Sequence, residues 1–259
     1  MSAWVVAALV LAVATGAHAE SAVDAVRARG ALRVGVKADA PPFGSVDAAG
    51  RPVGFEIELA RFFARVLFDD DRRAELVPVT TATRFDALDA GRVDVLLATV
   101  TATDERRRLL ELSDPYFMAA SRVLVRNDSR VQGLADLAAR PVAVVRDSAQ
   151  ARDVGELQPR AVVRVVGSVL EGVHAVRSGQ AEGFVYDDLV LLSLVGSDPA
   201  LRILRTPLAP RPFVAAARRQ DAELIRWVNG WLARMRRDGS YGEMWRRHFG
   251  PFESHLIGG

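Results

Sequence analysis

The amino-acid sequence predicts an α/β protein of two lobes, each a mainly parallel sheet flanked by helices. Three observations carry this. Short apolar runs of strand length alternate with helical patterns, the order that builds parallel sheets. The alternation restarts near residue 140. Two segments, "LDAGRVDVLLA" (88–98) and "VRSGQAEGFVY" (176–186), share one layout: a helix end, Gly, Arg or Gln, one residue, an acid, then an apolar strand.

Each element follows from its pattern. "LRVGVK" (32–37) reads as a strand. "GFEIELARFFARVLF" (54–68) places Phe55, Leu59, Phe62, Phe63, Val66 and Leu67 on one helical face. "AELVPV" (74–79) reads as a strand, "TRFDALDAG" as a helix stopped by Gly91, and "VDVLLAT" (93–99) as a further strand. "RPVAVV" opens the second series of strand, helix, strand and helix. "SRVLVR" (121–126) and "RPFVAAA" (211–217) are short extended runs placed to cross between lobes. The final segment, "DAELIRWVNGWLARMRRDGSYGEMWRRHF", predicts one or two amphipathic helices packed on the first lobe. The boundaries expected are 20–122 with 213–259 for the first lobe and 123–212 for the second.

Composition narrows the function. Of 259 residues, half are hydrophobic and a quarter charged, as in ordinary globular chains. The formal net charge is only +2 and no dense basic tract occurs, which argues against nucleic acid as a partner. Lys37 is the only lysine and cysteine is absent. The four histidines (His18, His174, His248, His255) have no metal-ligand spacing. No phosphate loop or nucleophile elbow occurs, so neither a metal nor a cofactor is expected.

Residues 1–19 read as a secretory signal. "WVVAALVLAVA" is an apolar core, and Ala17 and Ala19 are the small residues of a cleavage site. The core is shorter than the ~20 residues of a spanning helix, so cleavage after Ala19 and release into the periplasm are expected.

The stretch "LLATVTATDERRR" (96–108) runs from an apolar strand into threonines, acids and arginines. Ligands of open α/β sheets sit beyond the carboxyl ends of strands. The first lobe would bring Thr99, Thr101 and Arg106 to the cleft, and the second Asp187 and Asp188. A guanidinium facing a carboxylate suits a zwitterion. Thr103 can cap the helix starting at Asp104, whose free N–H groups favour an anion. Arg107 and Arg108 read as solvated, and Asp187 or Asp188 could instead cap the helix "DLVLLSLV".

The segments "LRVGV…PPF", "GFEIELA", "ALDAGRVDVLLA", "TATDERR", "ELSDPYF", "SGQAEGFVYDD" and "DGSYGEMWRRHFG" stand in an order and spacing that resembles the periplasmic amino-acid-binding proteins, the family 3 solute-binding partners of ABC importers, over about residues 31–250. The resemblance implies the type II periplasmic-binding-protein fold, with a two-strand hinge that closes on one ligand. It implies a monomer whose partners are an L-amino acid and the importer's membrane permease. It assigns the ligand carboxylate to Arg106 with Thr99 and Thr101, the amino group to Asp187, and part of an apolar wall to Phe43. The motifs are most similar to the glutamate/aspartate-type subgroup. There a basic residue ends the first strand and a "TS-x-x-R"-like turn follows; here these are Lys37, and Thr81 with Arg84. Two further cations suit a second carboxylate, although Lys37 also reads as a solvated strand end and Arg84 as a partner of Asp86 or Asp89. Val169 stands where that subgroup has a histidine. In "VVRDSAQ", Asp147 and Ala149 replace a usual glycine and hydroxyl residue, and Ser148 keeps a hydroxyl.

Two other classes share the fold. A cyclohexadienyl-dehydratase-like enzyme would need a general acid or base among Asp147, Asp187 and Asp188, and none has a partner visible in the sequence. A sensor module normally continues into a membrane segment and an output domain. Capture for delivery to a separate membrane partner is therefore expected, without bond chemistry.

Overall fold

The computed structural model of the chain describes residues 21–208 and 210–255; the predicted signal segment lies outside them. In chain order the strands are β1 (Leu32–Lys37), β2 (Asp39–Ala40), β3 (Gly44–Val46), β4 (Pro52–Val53), β5 (Ala74–Val79), β6 (Val95–Leu97), β7 (Leu110–Leu112), β8 (Phe117–Ala119), β9 (Ser121–Arg126), β10 (Pro141–Val145), β11 (Val162–Val166), β12 (Gly183–Asp187), β13 (Leu201–Ile203), β14 (Arg211–Phe213) and β15 (Ala216–Arg218). The helices are α1 (Ala22–Arg29), α2 (Phe55–Phe68), α3 (Arg84–Asp89), α4 (Asp104–Leu109), α5 (Ala149–Leu157), α6 (Val169–Arg177), α7 (Asp188–Val195), α8 (Ala222–Asp238) and α9 (Ser240–Phe249).

Two five-stranded sheets result, in the orders β5-β1-β6-β15-β7 and β11-β10-β12-β9-β13. The strands of the first α/β run, β1, β5 and β6, pair in parallel, while β15 returns antiparallel beside β6 and β7. The second sheet repeats the scheme: β10 is parallel to β11 and β12, and β9 runs antiparallel between β12 and β13. The segments with the shared layout end in β6 and β12, the corresponding strands of the two sheets.

One expectation is corrected. Ser121–Arg126 is not a crossing strand but a full member of the second sheet. The chain crosses at β8 and returns at β14, which pair antiparallel with Phe117 opposite Phe213. Phenylalanines hold this crossing to the first sheet. Phe43 lies edge-on to Phe117 and Phe213 at 5.0 and 5.2 Å between ring centroids, and Phe117 meets Phe249 at 4.6 Å. Edge-on and tilted pairs at such spacing are the favourable aromatic arrangements.

The helix α2 buries Phe55, Leu59 and Phe63 together with Ile57, Ala60 and Ala64, while Phe62, Val66 and Leu67 are only partly covered. Burying such large side chains contributes about 1.5–3 kcal/mol each. The predicted C-terminal segment forms two helices: α8 packs on α1, β7 and β15, and α9 on α2. Phe62 and Phe63 receive Trp231 and Trp227 at 5.9 and 5.5 Å. No helix among the described residues is long and apolar enough to cross a membrane.

Candidate functional site

The site residues gather at the carboxyl ends of strands from both sheets. Lys37 ends β1, Thr81 follows β5, Thr99 and Thr101 follow β6, Ser148 follows β10 and Asp187 ends β12. Ligands of such sheets occupy this edge.

Lys37 is buried, not solvated, at 1% exposure. Its Nζ lies 2.7 Å from Asp39 Oδ1 and donates to Thr81 Oγ1 at 3.0 Å. Burial lowers its pKa, with Asp39 opposing. Thr81 Oγ1 also lies 3.1 Å from the Tyr186 hydroxyl on β12, a direct contact between the two sheets' edges.

Arg84 is buried at the start of α3. Its partners are backbone: Nη1 donates to Ala98 O at 2.7 Å and Thr99 O at 3.0 Å, while Asp86 and Asp89 are exposed. Burial lowers its pKa, and the facing Tyr186, Asp187 and Glu56 act against that. The Arg84 and Arg106 guanidiniums each lie 5.0 Å from the Phe85 ring centroid, within cation–π range.

Thr103 caps α4, its hydroxyl accepting from Arg106 N at 3.2 Å. Arg106 is half-buried, whereas Arg107 and Arg108 are exposed. Its Nη1 donates to Thr101 O at 2.8 Å and its Nη2 reaches across to Asp147 O at 2.9 Å. Burial, then the charge of Arg84, pushes its pKa down to about 9.

On the second wall, Asp147 takes φ 57°, the left-handed conformation of a glycine that aspartate tolerates better than most residues. Its side chain is exposed and its carbonyl serves Arg106. Ser148 caps α5, accepting from Ala151 N at 3.1 Å. Asp187 precedes α7 without capping it; Oδ1 accepts from Gln150 Nε2 at 2.7 Å, and Gln150 also donates to Ser121 Oγ at 2.9 Å. Burial and the neighbouring Asp188 charge raise the Asp187 pKa to about 7. Asp188 accepts from Leu189 N at 2.8 Å and lies 3.7 Å from Arg122.

Phe43 stands apart from this polar group. It is 1% exposed, inside the phenylalanine cluster at the crossing strands. A groove of ≈ 590 Å³ lined in part by Phe85, Arg106, Asp147 and Ser148 opens beside the site. It does not reach Lys37, Thr81 or Asp187, which lie behind the contacts joining the two walls.

Three participants escaped the sequence reading. Tyr186 and Gln150 sit beside named residues, but their partners are distant in sequence. Glu56, fully buried in the first turn of α2, stood in "GFEIEL" with nothing to separate it from Glu58, which is partly exposed. Burial raises the Glu56 pKa to about 7, against hydrogen bonds from Tyr116 and Thr99.

The family model for bacterial extracellular solute-binding proteins, family 3, matches residues 32–251, and the chain belongs to that family. The ABC transporter glutamine-binding protein GlnH of Bacillus subtilis (strain 168) is 28% identical over 215 residues, spanning 82% of this chain and 79% of its own length. Among solved structures, the solute receptor for L-cysteine of Neisseria gonorrhoeae superposes with a TM-score of 0.86 at 26% identity, covering 91% of this chain and 97% of that one. An ancestral amino acid-binding protein, a precursor of cyclohexadienyl dehydratase, superposes at 0.79 with 31% identity, covering 88% of this chain and 100% of that one.

Proposed function

We propose that this chain, once exported, captures an L-amino acid between its two lobes and hands it to the membrane permease of an ABC importer. What supports the reading is that Arg106 follows β6 of the first sheet and Asp187 ends β12 of the second, near enough for the Asp187 charge to act on the Arg106 guanidinium. A planar guanidinium pairs with a carboxylate through two parallel hydrogen bonds. A buried carboxylate gains most from an ammonium that restores its charge. Relatives that bind glutamine and L-cysteine support the same ligand class. In this reading the expected lobes, 20–122 with 213–259 and 123–212, with Ser121 and Arg122 moved to the second by their pairing with β12, are two bodies that part when the Thr81–Tyr186 and Arg106–Asp147 contacts open.

The side-chain preference follows from the balance of buried charge. Lys37, Arg84 and Arg106 lie near Asp39, Asp187 and Glu56, and burial raises the pKa of both Glu56 and Asp187 to about 7. A zwitterion adds no net charge, so the excess of cation suits an acidic or polar side chain. Lys37 is the residue proposed for that role, because its ammonium has a third donor beyond those directed at Asp39 and Thr81.

A thermal-shift screen of protein from Glu20 onward, refolded from denaturant, against the twenty L-amino acids tests this. A ligand specific for the native state stabilises by about 2.7 kcal/mol at a hundred times Kd. Arg106→Ala is expected to weaken binding at least tenfold, about 1.4 kcal/mol, while the protein stays folded. Lys37→Met is expected to weaken glutamate more than glutamine. Undiminished binding by Arg106→Ala would remove the carboxylate assignment, and equal losses for Lys37→Met would remove the acidic preference.

The dehydratase alternative is favoured only by the two buried carboxyls near pH 7, a range suited to proton transfer, and by the ancestral structure, itself a binding protein. Incubating pure protein with prephenate and with arogenate decides it: product formation would replace capture by catalysis.

A further inference from the structure

We infer that Glu56 is a positioning residue of the ligand site, which together with Arg84 clamps the Ala98–Thr99 peptide from both sides and so fixes the Thr99–Thr101 loop. The role in binding rests on the cleft being the amino-acid site.

The loop needs a clamp. Thr99 has φ 49°, a left-handed conformation that a β-branched residue adopts only when its surroundings impose it. Three polar atoms of the peptide groups about Thr99 are gripped: Ala98 O, Thr99 N and Thr99 O. Glu56 Oε1 accepts from Thr99 N at 2.7 Å. Arg84 Nη1 takes the carbonyls of residues 98 and 99. Two groups of opposite charge therefore hold one turn, in a setting where charge-assisted hydrogen bonds are roughly twice as strong as neutral ones.

Glu56 is itself held. The Tyr116 hydroxyl donates to the same Oε1, tying the clamp to the segment just before the crossing strand β8. Gly54 sets the start of α2 with φ 131°, and a Cβ there would lie 2.3 Å from Phe43 O. The helix start is thus locked beneath the phenylalanine cluster, with Glu56 in its first turn. Three buried polar atoms around the clamp find no hydrogen-bond partner among the described residues: Glu56 Oε2, Arg84 Nε and Thr99 Oγ1. A clamp spent wholly on the fold would have little reason to leave a carboxylate oxygen, a guanidinium N–H and a hydroxyl unused at a strand end.

The test separates positioning from simple stability. Hydrogen exchange of the Thr99 amide is measured by NMR in the wild type, in Glu56→Leu and in Glu56→Gln, which keeps an acceptor at Oε1. Calorimetric titration of each protein follows, with L-glutamate and L-glutamine as probes and thermal unfolding as the control. In the wild type the Thr99 amide should be among the slowest of residues 96–104. Glu56→Leu should accelerate it at least tenfold and weaken both probes at least tenfold, beyond what its melting temperature explains. Glu56→Gln should restore both to within about threefold of wild type. A fast Thr99 amide in the wild type overturns the clamp even if Glu56→Leu does not fold. A folded Glu56→Leu with wild-type exchange, or with loosened exchange but unchanged affinity, overturns the positioning role. Failure of the wild type to bind either probe while Thr99 is protected would count against the acidic or polar ligand reading and leave the clamp decided by exchange alone.

Discussion

At the scale of single residues the proposed ligand site is a set of charges denied water, and Asp187 makes that measurable. Burial and the neighbouring Asp188 raise its pKa to about 7. A carboxyl raised above its unfolded value contributes stability that is fully present below about pH 4 and lost as pH rises through about 7. An amino acid's ammonium beside Asp187 would draw that pKa back down. Binding at pH 6 should therefore release a proton, and affinity should climb between pH 5 and 8. Titration calorimetry in two buffers of different ionisation enthalpy counts that proton. Glu56 carries a similar shift but faces the loop peptide in both states, so Asp187→Asn should abolish most of the release. If the variant releases as much as wild type, Asp187 does not meet the ammonium. The place of Asp187 at a strand end was legible, because it follows an apolar run in an α/β order. Its partner Gln150 was not: the pair joins the start of α5 to the end of β12, and nothing local in "DSAQ" marks that distance.

At the scale of elements, local periodicity carried furthest where one element packs one face. The strands β1 and β5 and the helix α2 follow their predicted spans because alternation and the 3.6-residue repeat each imply a single burial pattern. The run "SRVLVR" was misplaced because a hinge strand and an edge-proximal sheet strand have the same local pattern. What distinguishes them is pairing with β12 and β13, formed by residues about 60 and 80 positions later. Helix-on-sheet packing in the second lobe gives another prediction. Gly172 lies in α6 above Phe184 of β12, and a Cβ would fall 2.4 Å from that ring. Phe184 stacks on Tyr186 at 5.5 Å and 16°, so the ring cannot yield without disturbing the strand that carries Tyr186 and Asp187. Alanine gains about 1 kcal/mol in helix propensity, but overpacking a core costs about 1–3 kcal/mol. Gly172→Ala should be net destabilising, by up to about 2 kcal/mol in urea unfolding. A variant as stable as wild type would mean that α6 rides freely on the sheet.

At the scale of the whole molecule, the proposed capture would make closure a balance between contacts formed only when the lobes meet. The contact of the Tyr186 hydroxyl with Thr81 Oγ1 joins a residue of the second sheet to one beyond the first. Both groups are buried in this arrangement, and both would regain water in an open one. Thr81 keeps its hydrogen bond from Lys37 without Tyr186, so Tyr186→Phe strands no partner and subtracts mainly from the closed state. A hydrogen bond of this kind contributes about 1 kcal/mol net, and a ligand that binds only the closed form loses affinity in proportion to that form's population. Tyr186→Phe should therefore weaken the amino acid giving the largest thermal shift by about fivefold. In the proposed cycle the ligand-free protein is mostly open, so its melting temperature should change little. Small-angle scattering supplies the second reading: saturating ligand should compact both proteins alike, with the variant needing more ligand to reach the midpoint. Equal midpoints would show that the contact is as well satisfied by water as by its partner. The energetics of capture would then reside in the ligand's own bonds to Arg106 and Asp187.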